Sequence, residues 1–118
     1  MSKTILVADD DKTILEAMRM MLEDEGYTVA TTPSGTEARN LSGDLPAVLV
    51  LDIWMAGVDG RDVCRSLKSQ EATRDLPIIL CSANKDVQQI AQEVGADDFL
   101  LKPFDIDDFL AKIQHYMH

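Results

Sequence analysis

The sequence has two cysteines, Cys64 and Cys81, among its 118 residues. Two are too few for a disulfide scaffold, and half-buried thiols in a reducing cytosol are the plain expectation. Basic residues are scarce as well. Lys and Arg number 11 against 21 Asp and Glu, a formal net charge of -10. A binder of nucleic acid or of an anionic membrane needs a basic footprint, which is missing here. The imbalance leaves cation binding open. No apolar run approaches the length of a membrane span. The start, Met1 to Val7, lacks a long apolar stretch followed by a small-residue cleavage site, so no signal peptide is read. Repeats, low-complexity stretches and Pro/Gly/Ser linkers are also absent from the sequence. A chain of this length is expected to form one domain, residues 1–118, around its own core.

What is present is an alternation of short apolar runs with helical periodicity. Thr4 to Ala8 reads as a buried strand. Lys12 to Glu25 follows as a helix, with Ile14, Leu15, Met18, Met21 and Leu22 on one face and Gly26 placed to end it. Tyr27 to Thr31 reads as a second strand, and Thr36 to Ser42 as a weak helix closed by Gly43. Ala47 to Leu51 is apolar without alternation, which suits a strand covered on both faces. A loop rich in Gly and Asp comes next, then a helix from Arg61 to Ser69. Pro77 to Cys81 is the fourth strand, Asp86 to Val94 the fourth helix, ended by Gly95. Phe99 to Leu101 is the fifth strand, and the last helix carries Ile106, Phe109, Leu110 and Ile113. Five strand–helix units imply an α/β fold, doubly wound, with a parallel sheet and helices on both faces. In such sheets the functional groups lie at the carboxyl ends of the strands.

Those ends carry Asp9, Asp10 and Asp11 after the first strand, Asp52 after the third, Ser82 and Ala83 after the fourth, and Lys102 and Pro103 after the fifth. With the first and third strands as neighbours, Asp9, Asp10 and Asp52 come within a few ångströms. Carboxylates that close repel unless a cation or a proton intervenes. Mg²⁺ suits them, because it binds through one or two carboxylates and keeps waters for an incoming phosphate. Asp11 fits the ordinary role of a helix N-cap. Lys102 can pair with the aspartates or hold phosphate oxygens, and Ser82 can offer a hydroxyl to the same group. Carboxylate nucleophile, dication, hydroxyl and ammonium together are what phosphoryl transfer to an aspartate needs. The isomer of the Lys102–Pro103 bond is not legible in the sequence.

The runs Ile5 to Asp11, Asp52 to Gly60, Cys81 to Ala83 and Leu101 to Phe104, in this order and at these spacings, resemble the CheY-like receiver domain of two-component response regulators. The resemblance covers essentially the whole chain. It implies a flavodoxin-like (βα)5 sandwich with a five-stranded parallel sheet of order 2-1-3-4-5. It implies Asp52 as phosphoacceptor and Asp9, Asp10, Asp52 and the Trp54 backbone carbonyl as Mg²⁺ ligands. Lys102 would contact the phosphoryl group. Ser82 would be the switch hydroxyl, and Phe99 the switch aromatic that rotates inward with it. Trp54 and Asn84 would occupy the two positions that tune hydrolysis. The phosphoryl donor would be a histidine kinase or a histidine phosphotransfer protein. The output and dimer surface would be the fourth helix, fifth strand and last helix, around Asp86–Gln92, Phe99 and Asp107–Tyr116, in a monomer or a weak phosphorylation-dependent dimer. The location implied is cytoplasmic.

The chain departs from the family pattern in three places, the third being Asn84, whose effect on hydrolysis the sequence does not give. Met55-Ala56 stands where Met-Pro is usual, although Gly57 and Gly60 still permit the turn. Trp54 is larger than the usual residue there, and could shield a phosphoryl group from water or only pack on the surface. A phosphatase of the haloacid dehalogenase type would want a second aspartate where Trp54 stands. A flavodoxin-like cofactor carrier would want a phosphate-cradling loop where Asp9-Asp10-Asp11 stands. The remaining alternative is a receiver-like interaction module that is not phosphorylated, against which the complete set Asp9, Asp10, Asp52, Ser82 and Lys102 argues. No output domain is read within the chain, so a single-domain regulator and a piece of a longer protein both remain open.

Overall fold

A computed structural model describes residues 4–55 and 57–117. Met1 to Lys3, part of the segment searched for a signal peptide, and Ala56 of the Met55-Ala56 departure lie outside the described residues. The elements in chain order are β1 (Thr4–Ala8), α1 (Lys12–Asp24), β2 (Thr28–Thr32), α2 (Gly35–Arg39), β3 (Val48–Asp52), β4 (Trp54–Met55), β5 (Val58–Asp59), α3 (Gly60–Lys68), β6 (Ile78–Ser82), α4 (Val87–Val94), β7 (Asp98–Leu101) and α5 (Ile106–Tyr116).

Five strands form one parallel sheet in the order β2-β1-β3-β6-β7, the order expected for the five units. Every residue of β3 and β6 is buried. Their runs are apolar without alternation because both faces are covered. One face packs Leu49, Leu51, Ile78 and Leu80 against Val63 and Leu67 of α3 and Val87, Ala91 and Val94 of α4. The other packs Ile5, Val7, Val50 and Ile79 against Leu15, Met18 and Leu22 of α1 and Phe109 and Ile113 of α5. Each such large side chain contributes roughly 1.5–3 kcal/mol through burial, so the two apolar layers dominate the stability of the sheet. Cys64 and Cys81 are fully buried within them rather than half-buried, which corrects the sequence expectation.

Helix ends follow local chemistry. The Asp11 carboxylate accepts from the N–H groups of Thr13 and Ile14 and caps α1, as expected. Gly26 takes φ +91° just beyond the C-cap, a conformation natural to glycine. Gly95 caps α4 in the same left-handed region.

Two further expectations are corrected. The second helix spans Gly35–Arg39, not Thr36 to Ser42. Ser34 caps it by accepting from the Glu37 N–H, which draws the start forward, and Gly43 lies past its end. The segment after β3 is not a plain loop. Trp54 pairs with Asp59 and Met55 with Val58 in a small antiparallel hairpin.

Candidate functional site

The register of the sheet brings the chemistry together. Ala8 of β1 lies beside Leu51 of β3, and Asp52 beside Cys81 of β6. Asp9, one residue past β1, and Asp52, last in β3, therefore end side by side. Ser82, last in β6, pairs with Leu101 of β7. The next residue, Lys102, donates its backbone N–H to the Ser82 carbonyl oxygen at 2.8 Å, carrying the pairing one step past the strand. The Lys102–Pro103 bond that follows is cis.

Asp9 is 2% and Asp52 7% exposed, while Asp10 is open to solvent. Ligand oxygens from these three carboxylates lie within 4.8 Å of one another. The Lys102 ammonium is 2.8 Å from Asp9 Oδ2 and 3.2 Å from Asp52 Oδ1. Asp9 Oδ1 accepts from the Asp11 N–H at 2.9 Å, which fixes the carboxylate from its other side. Three carboxylates thus face one ammonium.

The imbalance appears in the acid strengths. Burial pushes the Asp52 carboxyl up and the Lys102 charge pulls it down. Asp9 and Asp10 push it up again, leaving it at about 6 from an ordinary 3.8. For Lys102, burial favours the neutral amine, but the Asp9 hydrogen bond and the charges of Asp52 and Asp9 outweigh it, so the ammonium is held above its ordinary value. A hard dication fits this donor set, since all three donors are oxygens, two are buried and one is open to water.

Ser82 is 1% exposed, and its Oγ accepts from the Asn84 N–H at 3.0 Å. Asn84 is exposed, and its side-chain oxygen accepts from the Asp86 N–H at the start of α4. Trp54 is 53% exposed, with the Arg61 guanidinium 4.8 Å from its ring centroid. Arg61 is held in turn by Asp59, at 2.7 Å from Nη2 to Oδ2. The ring is therefore seated at the surface beside the site. Phe99, on β7, stands apart from the carboxylates, half-buried, with the Lys112 ammonium 4.5 Å from its ring centroid.

Sequence reasoning missed Arg61 and Lys112, and it read Gly60 only as a turn residue. A Cβ on Gly60 would collide with the Asp52 carbonyl oxygen and come within 2.8 Å of Ile53 Cα. Only glycine lets α3 start that close to the acidic residue. An Asp-Gly pair after a strand is the available signal for it; nothing local marks Arg61 or Lys112. An apolar groove of about 430 Å³, walled by Ile14, Met18, Met21 and Phe104, opens beside Lys102.

A parallel five-stranded sheet with carboxylates, hydroxyl and ammonium gathered at its carboxyl edge defines a receiver-type switch fold. The model of the response regulator receiver domain matches residues 5–114, and the chain belongs to this family, which serves two-component signalling. Among its relatives is the response regulator MprA of Mycobacterium ulcerans (strain Agy99), 41% identical over 117 residues. That match covers 97% of this chain and 50% of the relative, so the chain spans about half the length of the curated relatives it matches. The receiver domain of a signal transduction histidine kinase from Syntrophus aciditrophicus superposes with TM-score 0.88 at 32% identity, covering 98% of this chain and 90% of that one. The response regulator TrrA of Thermotoga maritima, solved in complex with Mg²⁺-BeF, superposes with TM-score 0.85 at 31% identity, covering 97% and 98%.

Proposed function

We propose that residues 1–118 act as one receiver domain in which Asp52 accepts a phosphoryl group from a histidine kinase or a histidine phosphotransfer protein. The donor's P–N bond breaks as the Asp52 O–P bond forms. The observation that carries this reading is the meeting of Asp9, Asp52 and Lys102 within hydrogen-bond distance at the ends of three strands. Asp9, Asp10, Asp52 and the Trp54 backbone carbonyl would hold Mg²⁺, which would offset charge on the transferring oxygens. Lys102 holds Asp52 in place and lies where it can meet a phosphoryl oxygen. Ser82 exchanges its Asn84 contact for the phosphoryl group, and Phe99 turns with it. Trp54 and Asn84 are the positions that set how water reaches the acyl phosphate.

The domain is regulatory: it assists its own phosphorylation and dephosphorylation and acts on no separate metabolite. A cytoplasmic location goes with this reading. Among the described residues no helix is long and apolar enough to cross a membrane. The groove beside Lys102 adjoins the acceptor and offers the phosphodonor protein an apolar contact. The output partner meets the face formed by α4, β7 and α5, which is also where a weak phosphorylation-dependent dimer would form.

Trp54, the only tryptophan, gives the test. Its emission is followed through a Mg²⁺ titration and then on adding beryllofluoride, an acyl-phosphate mimic, with Asp52→Asn as control. A saturable Mg²⁺ response and a second change requiring Asp52 are expected. Silence to both in a folded sample would replace this reading with the unphosphorylated interaction module.

A further inference from the structure

One lysine staples β7 to α5. The Lys112 side chain is 19% exposed, and its ammonium lies 2.9 Å from Asp98 Oδ1. The same ammonium is 4.5 Å from the centroid of the Phe99 ring. A single cation therefore engages two consecutive residues of β7, a carboxylate and a ring face. Asp98 is itself tied down. Its Oδ1 accepts from the Phe99 N–H at 2.8 Å, and its Oδ2 accepts from the Tyr116 hydroxyl at 3.3 Å. Tyr116 also donates to the Asp97 carbonyl oxygen at 2.9 Å. Asp98 thus anchors the ammonium independently of the Phe99 ring. Phe99 packs against the core layer under α3 and α4 and pairs with Leu80, two residues before Ser82.

We propose that Lys112 is a positioning residue that latches the Phe99 ring in the orientation seen here and so biases the domain against its phosphorylated arrangement. The proposal rests on the reading of Phe99 as the ring that turns with Ser82. A cation over an aromatic face is attracted by the ring quadrupole, more strongly where both are partly desolvated. A contact made in one ring orientation and lost in the other is a differential interaction between two states. Such an interaction shifts their populations, and with them the apparent affinity of any ligand that selects one state. A plain structural staple would behave otherwise: it would support stability and leave ligand affinity alone.

Lys112→Met keeps most of the stem and removes the charge. Beryllofluoride is titrated at saturating Mg²⁺ with Trp54 emission as readout and Asp52→Asn as the blank. The half-saturating concentration is expected to fall about twofold to fivefold, the scale of one lost cation–π contact. Lys112→Arg keeps both contacts and is expected to match wild type. In a Phe99→Leu background the effect of Lys112→Met is expected to vanish, since the two residues then no longer couple. An unchanged or raised half-saturation in folded Lys112→Met overturns the latch, whatever the melting temperature. Where Lys112→Met does not fold, Asp98→Asn releases the same ammonium and must shift affinity in the same direction, or the latch fails. A responsive wild type with unshifted variants overturns the latch alone. A wild type with no Asp52-dependent response overturns the switch reading and the latch together.

Discussion

Asp52 and Lys102 stand fifty positions apart in sequence and 3.2 Å apart in space, the carboxylate closing one strand and the ammonium following another. The same ammonium is closer to Asp9, at 2.8 Å, so Asp52 holds the weaker share of a single positive charge. Burial, with the charges of Asp9 and Asp10 added, outweighs what Lys102 gives back and lifts the Asp52 carboxyl to about 6.

A carboxyl raised in the folded state makes the folded protein bind more protons than the unfolded chain between about pH 4 and 6. Stability from this group is therefore greatest below its unfolded value and is lost as pH rises through about 6. The loss amounts to as much as about 3 kcal/mol at pH 7 in metal-free protein. Asp52→Asn removes it. Urea unfolding in EDTA is expected to show the variant more stable than wild type at pH 7, with the gap closing toward pH 4. A variant equal to wild type at both pH values would refute this account of the site's strain.

Gly60→Ala forces a methyl group onto the backbone of Asp52 and Ile53, where neither chain segment is free to yield. The Gly60 N–H also donates to the Ile53 carbonyl oxygen at 2.7 Å, pinning the start of α3 there. Overpacking of this kind costs roughly 1–3 kcal/mol. The urea midpoint is expected to fall, and Mg²⁺ affinity with it, because Asp52 and the hairpin proposed to offer the Trp54 carbonyl must move. Unchanged midpoint and affinity would show that the hairpin gives way freely.

Much of this fold is legible from pattern alone. The apolar runs of β3 and β6 announce strands covered on both faces, and the acids at strand ends stand out against them. The hairpin Trp54–Asp59 escapes that reading because strands of two residues carry no period, and its turn shows only Gly57. The boundary of α2 departs from the periodicity because the Ser34 cap outweighs the pattern of a weak helix. Arg61 and Lys112 look like ordinary surface cations in the sequence. Their partners on the hairpin and on β7 exist only once the chain has folded, so no local signal reports them.

Lys68 illustrates the same point and gives a third prediction. Its ammonium donates to the carbonyl oxygens of Arg74 at 3.1 Å and Leu76 at 2.8 Å, and to Asp97 Oδ2 at 2.7 Å. That Asp97 oxygen also accepts from the Ile78 N–H at the head of β6. Lys68→Met removes one cation from three acceptors and is expected to cost roughly 1–3 kcal/mol of stability. Mg²⁺ binding is expected to be unchanged, since the cluster lies at the opposite ends of the strands. A parallel loss of Mg²⁺ affinity would mean that the two ends of the sheet are coupled.

The thiols offer a fourth. Burial pushes Cys64 up to about 11 and Cys81 up to about 12, so neither forms thiolate at neutral pH. Ellman's reagent is expected to label neither in native protein and both in urea. Rapid labelling of either under native conditions would expose a local opening of the sheet layers.

The strand order also governs how the chain can be assembled. β2 adds to one side of β1, β3 to the other, then β6 joins β3 and β7 joins β6. No strand has to be threaded between two partners already in place. A nascent chain leaving the ribosome can therefore build its sheet outward, each strand completing a crossover onto a waiting edge. The hazard is the edge left bare in between. A chain halted after α3 presents β3, buried at every position in the finished protein, with one whole side of its backbone unpaired. Truncations that remove β6 and β7 should yield aggregates rather than a smaller working unit.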